Sequence, residues 1–323
     1  MSNNKTTVFE LKVIKSLLTY FFILYSFQSF AQLPKVVGGS INRIDSFPSK
    51  YVTPRNVDIW FPDGYSSGKK YSVLYMHDGQ MLFDSATTWN KQSWDVDDIL
   101  TKLLKEKKIK DVIVVGIWNG GATRHADYFP QKPFKTLSLA EQDSIYFSKR
   151  TNGASVFNGY NIKSDNYLKF LVKELKVYID KNYSTYRDRN NTFIAGSSMG
   201  GLISLYAICE YPKVFGGAAC LSTHWPGIFT LEKNPIPIAI LGYLRKHLPN
   251  PKNHSIYFDF GDQTLDAMYP ALQEKVDKVM VSNGFTSKNW ITKYFAGDDH
   301  SEKAWSKRLN FPLFFMKSNN LFS

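Results

Sequence analysis

The chain has 323 residues, 43 % hydrophobic and 21 % charged, which excludes wholesale disorder and allows one large core. Its formal net charge of +12 favours acidic partners, from anionic small substrates to charged envelope polymers. Nucleic acid is not expected: the densest basic run, KLLKEKKIK at 102–110, is interrupted by leucines and has no glycine-aromatic RNA-binding signature beside it.

In chain order, residues 1–31 read as a secretory signal peptide. MSNNKTTVFELKVIK carries lysines, SLLTYFFILYSF is an apolar run of 12, and QSFA places Ser29 and Ala31 at the small-residue positions before a cut at Gln32. The run is short of the ~18 apolar residues of a membrane span, so the expectation is a secreted or periplasmic protein without a stable anchor. Loss of Lys5, Lys12, Lys15 and Glu10 would remove +2 of the charge, leaving 12 − 2 = +10.

Residues 32–323 read as a single domain. A polar stretch with Gly38, Gly39, Pro48 and Pro54 leads to a strand at NVDIWF, closed by the turn PDGYSSGKK. YSVLYM is a continuous apolar run that stops at HDGQMLFD, as a strand buried on both faces does. There follow a helix at WDVDDILTKLLKEKK, a strand at DVIVVGIW, a helix at NYLKFLVKELKVYIDKNY, a strand at NTFIAG and a helix at GGLISLYAICEYP. Strands at FGGAACLS and HSIYFDFG, a helix at ALQEKVDKVMVSNG, a strand at NWITKYFAG and a last helix broken or started around Pro312 complete the series. The alternation predicts an α/β fold with one mostly parallel sheet covered by helices on both faces. Residues 119–160, with NGGATRHADYFPQKPF, are read as a long irregular lid or substrate wall. Cys209 and Cys220 read as small buried hydrophobes, and their spacing supports neither a disulfide nor a metal site.

Ligands of such sheets gather beyond the carboxyl ends of the strands. There, Gly196-Ser197-Ser198-Met199-Gly200 joins a strand to a helix, and its small residues permit a turn sharp enough to lift the Ser198 hydroxyl clear of the sheet. A serine needs a base, and the chain order of this elbow puts an acid and then a histidine after it. His300, past the final strand, fits; His254 at a strand start and His247 in a basic loop do not. The acid is expected in GDQTLDAMYP. Asp266, farther round the turn, has room to reach an imidazole; Asp262, near the strand end, is the alternative acid or a helix cap. Asp298 and Asp299 read as caps. The backbone amides of Met199 and of Gln80, after Gly79, are the candidate oxyanion donors, with His77 bracing the second loop.

Together VLYMHDGQMLFD, GSSMGGLISLYA, GDQTLD and GDDHSEKAW resemble the putative-esterase family of α/β-hydrolases, across about residues 50–318. That family includes feruloyl and acetylxylan esterases, enterobactin-type siderophore esterases and S-formylglutathione hydrolases. The resemblance implies an α/β-hydrolase fold, Ser198 as nucleophile, His300 as the histidine, and Gln80 with Met199 at the oxyanion positions; the acid loop varies among members. No cofactor and no metal are expected.

The leading expectation is an exported serine esterase forming an acyl-enzyme on a small-molecule or oligosaccharide ester, such as an acylated carbohydrate or a siderophore. Arg124 is a candidate for a substrate carboxylate or phenolate, with a salt bridge to Asp127 as its other reading. His224, Trp225 and Trp118 are candidate substrate contacts or cavity walls. The competing classes are a non-catalytic carbohydrate-binding envelope protein on the same fold, and a metal-dependent hydrolase built on His300 with Asp298 and Asp299.

Overall fold

The computed structural model describes residues 32–318; the predicted signal peptide, 1–31, lies outside the described residues. Eight strands form one sheet in the order β1-β2-β4-β3-β5-β6-β7-β8. They are β1 (Ser40–Phe47), β2 (Arg55–Phe61), β3 (Ser72–His77), β4 (Val112–Ile117), β5 (Thr192–Ser197), β6 (Gly217–Leu221), β7 (Ser255–Phe260) and β8 (Trp290–Tyr294). β2 runs antiparallel to both β1 and β4, and every other pairing is parallel.

The central strands are buried along their whole length, and side chains of period two serve both faces. Val73, Tyr75, Ile113, Val115 and Ile194 face one core. Against it pack α5 (Ser164–Lys169), which passes through a π-helical turn (Phe170–Leu175) into α6 (Lys176–Asn182), and then α7 (Met199–Glu210), α8 (Ile236–His247) and α9 (Pro270–Ser282). Leu74, Met76, Val112, Val114 and Phe193 face the other core, covered by α1 (Val96–Lys105), α10 (Glu302–Arg308) and α11 (Asn310–Ser318). The α/β-hydrolase fold, with helices on both faces of a mostly parallel sheet, is therefore present.

Several local readings change. The polar stretch after Gly39 is an edge strand, β1, whose burial alternates and whose register shifts between Ile44 and Phe47. Residues 119–160 are not irregular: they hold α2 (Arg124–Tyr128), α3 (Gln131–Phe134) and α4 (Leu139–Tyr146), the last opened by a Ser138–Glu141 capping box. Tyr128, Phe129, Phe134, Ile145 and Phe157 anchor that segment in the core. The final helix divides at Leu309 rather than at Pro312, which sits in the first turn of α11, where proline is tolerated. Cys209 and Cys220 are buried free thiols.

β3 has β4 on one side and β5 on the other, so the winding of the chain reverses there. A crevice opens beyond strand ends at such a point.

Candidate active site

Ser198 sits between β5 and α7 at φ 58°, ψ −124°, a conformation that a non-glycine residue adopts only under constraint. The constraint is a set of backbone bonds. Its N–H donates to the Leu221 carbonyl at 2.9 Å, and its carbonyl accepts from Leu202 at 3.1 Å and His224 at 3.2 Å. Gly196 is required for close approach, since a Cβ there would lie 2.7 Å from the Gly200 carbonyl carbon. The neighbours on either side are buried while Ser198 stays partly exposed. Met199 opens α7, so its N–H belongs to the first turn, which has no acceptor within the helix.

The loop after β3 faces this elbow: a Cβ on Gly200 would touch His77 Cβ at 3.3 Å and Asp78 Oδ2 at 3.4 Å. Gly79 lies so close to β4 that a Cβ would sit 2.4 Å from the Gly116 carbonyl carbon, and Gln80 follows in a 3-10 turn (Gly79–Met81). Asp78, at φ 57°, is gripped by Arg124 through two hydrogen bonds of 2.7 Å and by Asn119 Nδ2 at 2.7 Å. Burial pushes the Asp78 carboxyl up, but the Arg124 guanidinium outweighs it and the group ends below the usual carboxylate range. The expected Arg124–Asp127 pairing is thus corrected: Arg124 holds the loop carboxylate, and Asp127 pairs with Arg55 at 3.1 Å. His77 is buried, shares a 2.8 Å hydrogen bond with the Tyr167 hydroxyl, and is pushed by burial to a pKa of about 3. It is a neutral brace.

Asp266 lies in a 3-10 turn after β7, wholly buried. Its Oδ1 accepts from His300 Nδ1 at 2.5 Å, and its Oδ2 accepts from the Ser222 hydroxyl at 2.6 Å and the Gly261 N–H at 2.7 Å. Burial raises its pKa, yet the His300 bond and charge, the Ser222 hydroxyl and the Gly261 amide outweigh burial and hold it below its ordinary value. An ionised carboxylate only accepts, so His300 carries its proton on Nδ1 and leaves Nε2 as the basic nitrogen. The ring stands edge-on to Tyr269 and Trp305, at 5.9 and 5.1 Å. Beneath it, Ser222 accepts from Trp305 Nε1 at 3.0 Å and Arg308 at 2.8 Å. Buried Arg308 also reaches Asp259 at 3.1 Å and Asp298 at 2.9 Å, and burial pushes Asp259 to about 6.

Asp262 is not at this imidazole. It accepts from the Tyr294 hydroxyl and from the Gly297 N–H, and it caps no helix. Asp298 and Asp299 do not cap α10 either: Ser301 does, while Asp298 holds Arg308 and Asp299 holds the Ser301 hydroxyl. The reading of these two as metal ligands with His300 loses its donors to those partners.

Ser198 and His300 meet at a residue the sequence did not single out, Tyr269. Its hydroxyl shares a 2.8 Å bond with His224, whose backbone N–H meets the Ser198 carbonyl, and His300 packs on its ring. Among the described residues no hydrogen bond joins Ser198 directly to His300. His224 and Trp225 are corrected as substrate contacts. His224 is buried, shares a 2.8 Å bond with Tyr269 and is held neutral by burial; Trp225 is buried on Phe258 with its indole N–H on Gln273 at 2.9 Å. Trp118 donates to Asp58 at 2.8 Å under the Arg43 guanidinium. A partly exposed serine on a constrained turn, an imidazole with a fixed tautomer and N–H groups at the head of α7 that have no acceptor within the helix are components of acyl transfer.

A family model described as Putative esterase matches residues 50–313. Among curated proteins the chain is 22 % identical over 173 residues to the uncharacterized protein YbbA of Bacillus subtilis (strain 168), covering 53 % of this chain and 58 % of that one. It thus spans little more than half of that relative's length. Among solved structures it is similar to a CE1 ferulic acid esterase from Anaeromyces mucronatus, with a TM-score of 0.60, 20 % identity, and 92 % and 97 % of the two chains covered. An IroE-like serine hydrolase from Shewanella oneidensis is similar at a TM-score of 0.62 and 19 % identity, over 85 % of this chain and 79 % of that one. At these identities the structural likeness speaks for the fold.

Proposed function

Because the chain belongs to the Putative esterase family, we propose that it is an exported serine esterase that cleaves a carboxylic ester through an acyl-enzyme. Ser198 attacks the ester carbonyl while His300 Nε2 takes its proton; Asp266 holds Nδ1 and balances the imidazolium that forms. The amides of Met199 and Gln80 donate to the developing oxyanion. His300 then returns the proton to the departing alcohol, and water, activated by the same nitrogen, splits the acyl ester of Ser198. The bond between the Ser198 hydroxyl and His300 Nε2 forms as substrate enters, a tightening common to such sites.

The observation that carries this reading is the 2.5 Å bond from His300 to a buried, ionised Asp266 beside the constrained Ser198. The likeness to a ferulic acid esterase makes ferulate esters one substrate class to test, and the family resemblance adds acylated carbohydrates and siderophore-type esters. The purified protein is expected to hydrolyse p-nitrophenyl acetate and to react with a fluorophosphonate probe, and Ser198→Ala to lower turnover by about 10³-fold or more. Undiminished turnover in that variant sinks the proposal. Export is checked by sequencing the amino terminus of the exported protein, expected at Gln32.

A further inference from the structure

Arg124 is the cation to which the sequence points, and Asp78 neutralises it. A second guanidinium near it is that of Arg150. Its backbone N–H donates to the Ala154 carbonyl at 2.8 Å in a tight loop, which aims the side chain without using it. The guanidinium is half-buried over the Phe229 ring, 4.8 Å from its centroid. Phe229 packs in turn on His224 at 5.3 Å and His125 at 6.3 Å. His224 is the residue whose N–H meets the Ser198 carbonyl and whose ring meets Tyr269. Two stacked rings, Phe229 and His224, therefore link Arg150 to the flank of Ser198.

Among the described residues this guanidinium has neither a carboxylate nor a hydrogen-bond acceptor, and burial and the neighbouring cation Arg124 both disfavour its charge. Burial holds His125 neutral, at about 3, and depresses His224 likewise, so neither competes for an anion. A partly desolvated cation without an anion is costly, and five planar donors suit a carboxylate two at a time. An aromatic face beneath it adds a surface for a ring.

We propose that Arg150 and Phe229 form an anion subsite, and that the ester cleaved at Ser198 carries a carboxylate beyond its reacting carbonyl. The substrate assignment rests on the esterase reading; the subsite does not.

Calorimetry of the full chain with benzoate and with its neutral counterpart benzamide reads the subsite directly. Benzoate is expected to bind about tenfold more tightly at low salt, and to compete with p-nitrophenyl acetate. Arg150→Gln should abolish the preference with the melting temperature unchanged. Arg150→Lys should keep part of it, because the charge survives and the paired donors do not. Equal affinities in the wild type, or a preference that survives Arg150→Gln, overturn the subsite. If the preference holds and no ester is hydrolysed, the esterase reading falls and the subsite stands; turnover without preference does the reverse.

Discussion

At the scale of single residues, the informative contrast is between two aspartates four positions apart. Asp262 and Asp266 leave the same strand, and sequence position favours the second only because a longer excursion gives it more reach. Folding separates them decisively in chemistry. Asp266 is sealed from water with three donors on its oxygens, whereas Asp262 spends its hydrogen bonds on Tyr294 and Gly297. Asp266→Asn is expected to lower kcat by about 10³-fold or more, since an amide favours the wrong imidazole tautomer. Asp262→Asn should stay within about threefold, as near-surface changes do; steady-state kinetics on p-nitrophenyl acetate with both variants tests the pair. His224 and Trp225 show the opposite failing of position. They follow a strand end, where solvent-facing residues are expected, but Tyr269 and Gln273, at the start of α9, close over them.

At the scale of elements, the central strands and the elbow were legible because their signals are local: continuous apolar runs, and small residues at a strand-to-helix turn. Gly196→Ala tests the second signal. With its Cβ 2.7 Å from the Gly200 carbonyl carbon, the variant must displace the start of α7, and a loss of about 1–3 kcal/mol in urea unfolding is expected, with activity falling alongside. β1 was missed for a physical reason: it is an edge strand with alternating exposure, and carries no apolar run. The backbone leading into it is held by carboxylates, with Lys35 N–H on Asp84 at 2.9 Å, Val37 N–H on Asp97 at 2.7 Å and Gly39 N–H on Asp63 at 2.8 Å. Burial, opposed by the Val37 bond, raises Asp97 from 3.8 to about 6. A carboxyl raised on folding binds more protons folded than unfolded between those values, so stability contributed by Asp97 falls as pH rises from 3.8 to about 6 and is flat above. Asp97→Asn removes that slope. Its melting temperature relative to wild type should therefore be higher at pH 7 than at pH 4, and a constant difference would contradict the assignment.

At the scale of the whole molecule, a sheet buried on both faces supplies two cores, and no covalent staple is needed. Cys209 on α7 and Cys220 on β6 stay as thiols whose ionisation burial opposes. Thermal unfolding of the chain should give the same midpoint with and without reductant; a drop of several degrees on reduction would reveal a disulfide. The class of fold, the succession of strands and helices and the family resemblance all follow from patterns within a dozen residues, because burial periodicity and turn chemistry are written locally. The contacts that make a site are different in kind. The reach of Asp266 to His300, the neutralisation of Arg124 by Asp78, the cover of Tyr269 and the unpaired cation at Arg150 join residues tens of positions apart. They exist only once the sheet has ordered its strands and brought their carboxyl ends together.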